Sequence, residues 1–524
     1  MNKKTHISAN AFTKRSLKFL NENKLNFIVF LTGACVLVVE VLAVRILAPY
    51  FGNTIYSVSS ILAVILGALS LGYYFGGKKA DNNPSLDSFF KIIWYGGLST
   101  LFLEFLALYL LPVMGYSLHP IYGPFIASLF LFLLPSYFLG MLSPYAIKLQ
   151  SMQFPEKGVG KISGEVFFTS TLGSIFGSLI TGFYLVPSFG VSHIVTSVGI
   201  ILSILGLIGS IPSGKKKDLI RAGFLTYIAV IVAVSVNFKP EGRLLYLKDG
   251  VYGRIAVYDA VFKGRPARIL AQDDGFSSGS YSDSDELAFD YTKYYSLYEV
   301  FDVEVNNALF IGGGAYSVPN RLIKELPEVR VDVVEVEPDL FDISKTYFRV
   351  SDSPRLNNII LDGRRYLHDT DKSYDLIFAD AYASVYSVPV HLATREFFQL
   401  AYNNLNPNGI FLANIIGDLD RNGPSLVYSE MKTFNEVFKN SYFFAVDDPN
   451  SGKPQNIIFV GVKNDNKLGF RSPAVLRSDS ETVRNLEKHL INLSGVTWSN
   501  YPTLTDDFAP TEYLGSFIAG KNKY

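Results

Sequence analysis

The feature that most limits this chain is a series of long apolar runs before about Phe238. They cover residues 25–47, 55–77, 89–111, 122–147, 162–186, 191–211 and 219–238. Each is long enough to cross a bilayer. Backbone in lipid finds no water to bond, so its polar groups must pair within the segment, and such runs must be helices. Residues 25–238 are therefore expected to form a multi-span α-helical membrane domain of about seven helices, with the lipid bilayer as a partner. Residues 1–24 are polar and basic with no cleavage motif before the first run, and read as a retained cytoplasmic tail.

Within the runs, Gly67, Gly72, Gly76, Gly77, Gly173, Gly177 and Gly182 recur at spacings that suit close helix contact. A packing seam is the first reading of them, a transport path the second. Glu40, Arg45, Glu104 and Glu165 are ionisable groups inside or at the ends of runs, where each is costly and raises a binding hypothesis. Lys and Arg gather before the first run and in alternate loops (Lys78, Lys79 and Lys91; Lys148, Lys157 and Lys161; Lys215, Lys216, Lys217 and Arg221). This asymmetry predicts a multi-pass protein of the cell membrane with a cytoplasmic N-terminus. Seven crossings would leave the C-terminal half outside; a re-entrant fourth run, broken by proline and glycine, would return it inside.

Past Phe238 the pattern shortens to alternating segments. Residues 239–300 are expected to form a small β region and a gate loop, with strands at Arg254 to Tyr258 and Ala267 to Leu270. Residues 273–280 read as a loop before a helix near Asp283. From 301 to 524 strands and helices alternate, the pattern of a parallel sheet with crossovers. Leu309-Phe310-Ile311 feeds Gly312-Gly313-Gly314, and Ser317 with Pro319 suits a helix start. The next strand ends at Glu335 to Glu337, roughly 20 residues beyond the glycines, where a carboxylate can hold ribose hydroxyls. Two further strands end on Asp362-Gly363 and on Asp380. Glycine turn and strand-end acids outline a nucleoside site, with Glu335 toward ribose, Asp362 toward adenine and Asp380 toward the reacting carbon. The plainer alternative is that these acids cap helices.

Several classes drop out. Lys plus Arg (47) equals Asp plus Glu (47), and no basic stripe interleaved with aromatics occurs, so no nucleic-acid partner is expected. Cys35 is the only cysteine and the six histidines are dispersed, so no metal site is expected. Ser317 stands where a nicotinamide fingerprint needs its third glycine. A donor without a pyrophosphate, such as an adenosyl sulfonium, fits better.

Residues 309–314, 334–338, 361–364, 374–380, 388–392 and 504–510 resemble the spermidine synthase (polyamine aminopropyltransferase) family, in its form fused to a multi-span membrane region. Val39-Glu40-Val41 with Arg45, 66–77 and 171–173 resemble that form's membrane half. The resemblance implies a Rossmann-like, class I methyltransferase-type sheet. It also implies aminopropyl transfer from decarboxylated S-adenosylmethionine to an amine such as putrescine, giving spermidine and methylthioadenosine. The donor is a co-substrate, and no tightly bound cofactor is implied. By this resemblance Gly312 and Gly314 form the donor turn, Glu335 binds ribose, Asp362 and Gly363 bind adenine, and Asp380 is the proton acceptor. His391 reads as a structural or gate residue before a catalytic one.

The departures fall on the polyamine side. Ala315 and Ala383 stand where the family carries aspartates, Gly253 where it carries an early glutamine, and Phe289-Asp290-Tyr291 where it carries tyrosine-histidine-glutamate. Asp290 is a candidate for restoring negative charge. Two other readings stay open: another S-adenosylmethionine reaction (methyl transfer or sulfonium cleavage), and a non-catalytic transporter or nucleoside sensor. Homo-oligomerisation is also left open.

Overall fold

A computed structural model describes residues 22–210, 220, 222–223, 225–230, 242–273, 275–381, 389–464, 467–478 and 480–521. Contacts divide the chain into two compact units, Met1–Phe238 and Lys239–Tyr524.

Among the described residues the first unit holds six helical stretches long and apolar enough to cross a membrane. Its helices are α1 (Glu22–Phe51), α2 (Ile55–Asn82), α3 (Leu86–Ser117), α4 (Gly123–Gly140), α5 (Leu142–Gln153), α6 (Val159–Ile180) and α7 (Val191–Ser210). The expected seventh run, 219–238, lies mostly outside the described residues. The fourth run is not short: α4 and α5 join through Met141 into one 31-residue stretch, Gly123–Gln153. The break follows Pro135 inside α4 and leaves the Met141 N–H shared between the Tyr137 and Phe138 carbonyls.

Three helix pairs build this unit: α1 with α6, α2 with α4, and α3 with α7. Glycines sit where two backbones touch. A Cβ at Gly173 would collide with the Phe30 carbonyl, and one at Gly72 with the Tyr137 carbonyl. Gly177 and Gly76 meet Ala34 and Met141 in the same way. The seam reading holds for these four and finds no support at Gly67 and Gly182, where nothing among the described residues lies within 4 Å of an added Cβ. The substitution Gly173→Ala is therefore expected to destabilise the unit by about 1–3 kcal/mol through overpacking. Gly182→Ala should be near neutral; thermal inactivation of the detergent-solubilised chain compares the two. Glu165 stands beside Lys157 at 3.4 Å near the start of α6, so its charge is matched.

The second unit carries two sheets. The first is a meander of β1 (Arg243–Asp249), β2 (Arg254–Phe262), β3 (Arg265–Gln272) and β4 (Gly275–Tyr281), all antiparallel. Strand β4 corrects the expected loop over 273–280. Its glycine- and serine-rich composition reads as a turn, yet it pairs with β3 from Gly275 opposite Gln272 to Tyr281 opposite Ala267. Cross-strand pairing overrides a weak local preference. The helix expected near Asp283 begins instead at Asp290, as the 3-10 helix Asp290–Ser296.

The second sheet has seven strands: β5 (Asn307–Ile311), β6 (Arg330–Glu335), β7 (Leu356–Ile360), β8 (Tyr374–Ala379), β9 (Leu405–Gly417), β10 (Asn440–Ala445) and β11 (Gln455–Val462). Their spatial order is β10-β11-β9-β8-β5-β6-β7. Strands β7, β6, β5, β8 and β9 run parallel, and at one edge β11 is antiparallel to both β9 and β10, so β10 points the same way as the five. This is the Rossmann-like, methyltransferase-type arrangement. One face packs Phe310, Val333, Leu376 and Leu412 with Tyr316 and Leu322; the other packs Leu309, Ile311, Ile377 and Phe411 with Phe397 and Phe434. Order reverses between β5 and β8, so their carboxyl ends diverge into the crevice where ligands of such sheets bind.

Candidate active site

The glycine turn opens directly from β5. Gly312 has φ +96° and Gly314 φ +50°, values that side chains rarely adopt. The Gly312 N–H donates to the Val334 carbonyl at 2.9 Å, tying the turn to β6. Helix α8 (Ser317–Glu325) follows, but Ser317 is its first residue and not its cap. The cap position is Tyr316, left-handed at φ 55° and fully buried. Its hydroxyl donates to Asn358 Oδ1 at 2.6 Å, and its ring lies 2.5 Å from where a Gly313 Cβ would stand. A buried ring and a hydrogen bond thus hold a strained residue in place.

Glu335, 7% exposed, ends β6 beneath this turn. One carboxylate oxygen accepts from Gly313 N at 2.8 Å and the other from Glu337 N at 2.9 Å. The acid fixes the turn, and each oxygen keeps a second lone pair for a ligand. Beyond α9 (Leu340–Tyr347), Gly363 opens α10 (Gly363–Asp369) and packs so tightly on Ile311 that a Cβ would collide with it. Asp362 caps that helix, accepting from Arg365 N at 2.9 Å, and its other oxygen meets His391 Nε2 at 2.8 Å. That histidine contact, helped by backbone N–H groups, holds the carboxyl below its ordinary value. The capping alternative is thus realised for Asp362, while Glu335 serves the turn.

Behind His391, Arg364 donates twice to Asp506, at 2.8 and 2.5 Å, and once to the His391 carbonyl at 3.0 Å. Thr394, which caps α11 (Arg395–Asn403), donates to the same aspartate at 2.9 Å. The 504–510 motif is a latch on the segment that carries His391.

Asp380 follows β8, and its N–H donates to the Ile311 carbonyl at 2.8 Å. Gly312 and Asp380 therefore flank the point where strand order reverses. Asp380 Oδ1 accepts from Asn414 Nδ2 at 2.8 Å, and Asn414 is in turn held by Asn456 at 2.9 Å. Part of the residue still opens to the crevice. Protein atoms crowd water away from the carboxyl and push it up to about 6; Asn414 and Tyr291 pull the other way, and the Glu335 charge adds to the rise. Tyr291 is the residue that sequence reasoning missed. Its buried hydroxyl donates to the Ser277 carbonyl at 3.1 Å and also faces Asp380. The sequence places it in the run 289–291 that departs from the family pattern but gives it no role; the β4 pairing and the 3-10 helix bring it there.

Asp290, one residue earlier, is not brought to this group. Its carboxylate pairs with Lys263 and with Lys293, the latter at 3.2 Å. Burial works to raise it, but the two lysines outweigh burial and hold it below its ordinary value. It lines a separate cleft of about 1120 Å³ with Tyr294, Tyr298 and Arg321. Ala315 is fully buried, Gly253 sits in the β1–β2 turn, and position 383 lies outside the described residues. No group of three or more metal-ligating side chains occurs among the described residues.

The sequence that builds this geometry has a match among known domains. Residues 297–464 match the spermine/spermidine synthase domain. The C-terminal unit thus contains a stretch that matches the spermidine synthase domain. A polyamine aminopropyltransferase of Vibrio vulnificus is 26% identical over 220 residues, 41% of this chain and 72% of that protein. Polyamine aminopropyltransferase 1 of Streptomyces coelicolor is 23% identical over 458 residues, 81% of each chain, a span that reaches into the unit of long apolar helices. An eEF1A lysine and N-terminal methyltransferase of Xenopus laevis is 27% identical over 210 residues, 38% of this chain but 28% of that protein.

Proposed function

We propose that this chain moves an aminopropyl group from decarboxylated S-adenosylmethionine to a small amine such as putrescine, releasing methylthioadenosine. The observation that carries the reading is Asp380. It is a crowded carboxyl at the strand-order reversal, beside a glycine turn that Glu335 holds open for a nucleoside. The glycine turn and Glu335 take the adenosine, with the ribose hydroxyls donating to the free lone pairs of Glu335. Asp362 faces the adenine edge. The amine nitrogen attacks the carbon next to the sulfonium, the carbon–sulfur bond breaks, its electrons neutralise the sulfur, and Asp380 takes the proton that the nitrogen loses. The same carboxylate attracts both cations before reaction.

A second reading rests on Ala315. Where an aspartate would hold the donor's amine, this chain places a buried methyl, and a methyltransferase is among the relatives. Methyl transfer or sulfonium cleavage uses the same nucleoside pocket without that amine. Purified full-length protein incubated with each sulfonium donor, with and without putrescine, separates the readings by product. Methylthioadenosine with spermidine supports the first; S-adenosylhomocysteine, or methylthioadenosine formed without an acceptor, supports the second. Binding without turnover leaves a sensor.

The pH dependence follows from Asp380. The base must be ionised, so kcat/KM should rise with pH through about 6 and level off above it. The kcat limb should lie lower, because bound cations favour the carboxylate. Tyr291→Phe removes a group that stabilises the charged form, so the limb should move to higher pH. A limb that stays in place would remove Tyr291 from the machinery.

A further inference from the structure

Glu337 has no part in the chemistry described, yet it is 2% exposed and carries a carboxylate. One oxygen, Oε2, accepts from Tyr252 N at 2.9 Å. Val251 N joins it, and the two backbone donors oppose the rise that burial imposes on the carboxyl. The other oxygen, Oε1, is buried and has no hydrogen-bond partner among the described residues. The donors come from the β1–β2 turn, which the Gly250 N–H closes onto the Gly253 carbonyl at 2.8 Å. Gly250 is the residue that permits the approach, since a Cβ there would stand 2.6 Å from Glu337 Oε2. On its other side the Glu337 N–H donates to Glu335, which holds Gly313. A continuous chain therefore runs from the β1–β2 turn through Glu337 and Glu335 to the glycine turn.

We infer that Glu337 is a positioning residue, a clamp that draws the β1–β2 turn onto the rim of the nucleoside site and couples its placement to the glycine turn. A buried carboxylate with one oxygen unpaired costs stability and would be better replaced by an apolar residue if it only filled space. Its retained value lies in the two N–H groups it holds. The turn also carries Gly253, so the clamp fixes where that residue sits. The coupling to nucleoside binding rests on the proposed function; the clamp itself does not.

The test uses full-length protein in detergent with three variants. Glu337→Ala removes the acceptor, Glu337→Gln keeps one carbonyl oxygen in its place, and Gly250→Ala pushes the turn away with Glu337 intact. Trypsin cleavage after Lys248 and Arg254, which flank the turn, reads the clamp without any ligand. Calorimetry with methylthioadenosine reads its effect on the pocket. Glu337→Ala and Gly250→Ala should both be cleaved faster and bind methylthioadenosine about tenfold more weakly, the size of one lost charge-assisted hydrogen bond. Glu337→Gln should restore both toward wild type. Wild-type cleavage rates in Glu337→Ala and Gly250→Ala would overturn the clamp, as would a Gln variant no better than the Ala variant. If Glu337→Ala fails to fold, Gly250→Ala decides alone. Absence of methylthioadenosine binding in the wild type would overturn the proposed function and leave the cleavage result to judge the clamp.

Discussion

Replacing Asp380 by Asn is expected to lower kcat by about 10²–10⁴-fold, the range that a positioned proton acceptor contributes. Asparagine has the same shape, and its carbonyl oxygen can still accept from Asn414, so the orienting chain through Asn456 survives. What is lost is the capacity to take the amine's proton, together with a negative charge facing a sulfonium. Calorimetry should therefore show methylthioadenosine, a neutral thioether, bound nearly as in the wild type. Turnover within about tenfold of wild type would place proton acceptance elsewhere. Loss of nucleoside binding would instead make Asp380 a structural residue.

The second large effect is expected at Gly312. Its φ of +96° excludes ordinary side chains, and a Cβ would collide with the Asp380 carbonyl oxygen. Backbone strain and overlap act together, so Gly312→Ala should cost roughly 2–4 kcal/mol of stability. The damage reaches function because the same overlap separates the ends of β5 and β8, where the site opens. Gly452→Ala is the control, since nothing lies within 4 Å of its added Cβ. Thermal unfolding of the full chain measures both. A Gly312→Ala protein as stable as the Gly452→Ala control would mean that the turn relaxes freely, and that its conformation is not what shapes the pocket.

Much of this was legible in the residues. The long apolar runs were expected to be helices, and six helical stretches long and apolar enough to cross a membrane occur among the described residues; the alternation after residue 301 points to a parallel sheet. The strand ends at Ile311, Glu335 and Ala379 follow from short apolar segments stopping at glycine or acid. Less legible was β4, whose serines and glycines carry no strand preference of their own and are fixed by β3. Tyr291 was hidden for the same reason: it lies far in sequence from Asp380, and only the packing of the small sheet brings them together. Asp290 carried the expected charge but not the expected place, because Lys263 and Lys293 neutralise it.

The sequence by itself determined which half of the chain is apolar enough to cross a membrane, and the order of strands, turns and acids along the other half. Period and spacing are local properties, and they act before any long-range contact forms. The tertiary structure alone decided which of several acids does what. Glu335 holds a turn, Asp362 caps a helix against His391, Glu337 grips a hairpin, and Asp380 is left crowded with its charge discouraged. A carboxylate's role is set by the donors, charges and water around it, and those come from residues far apart in the chain.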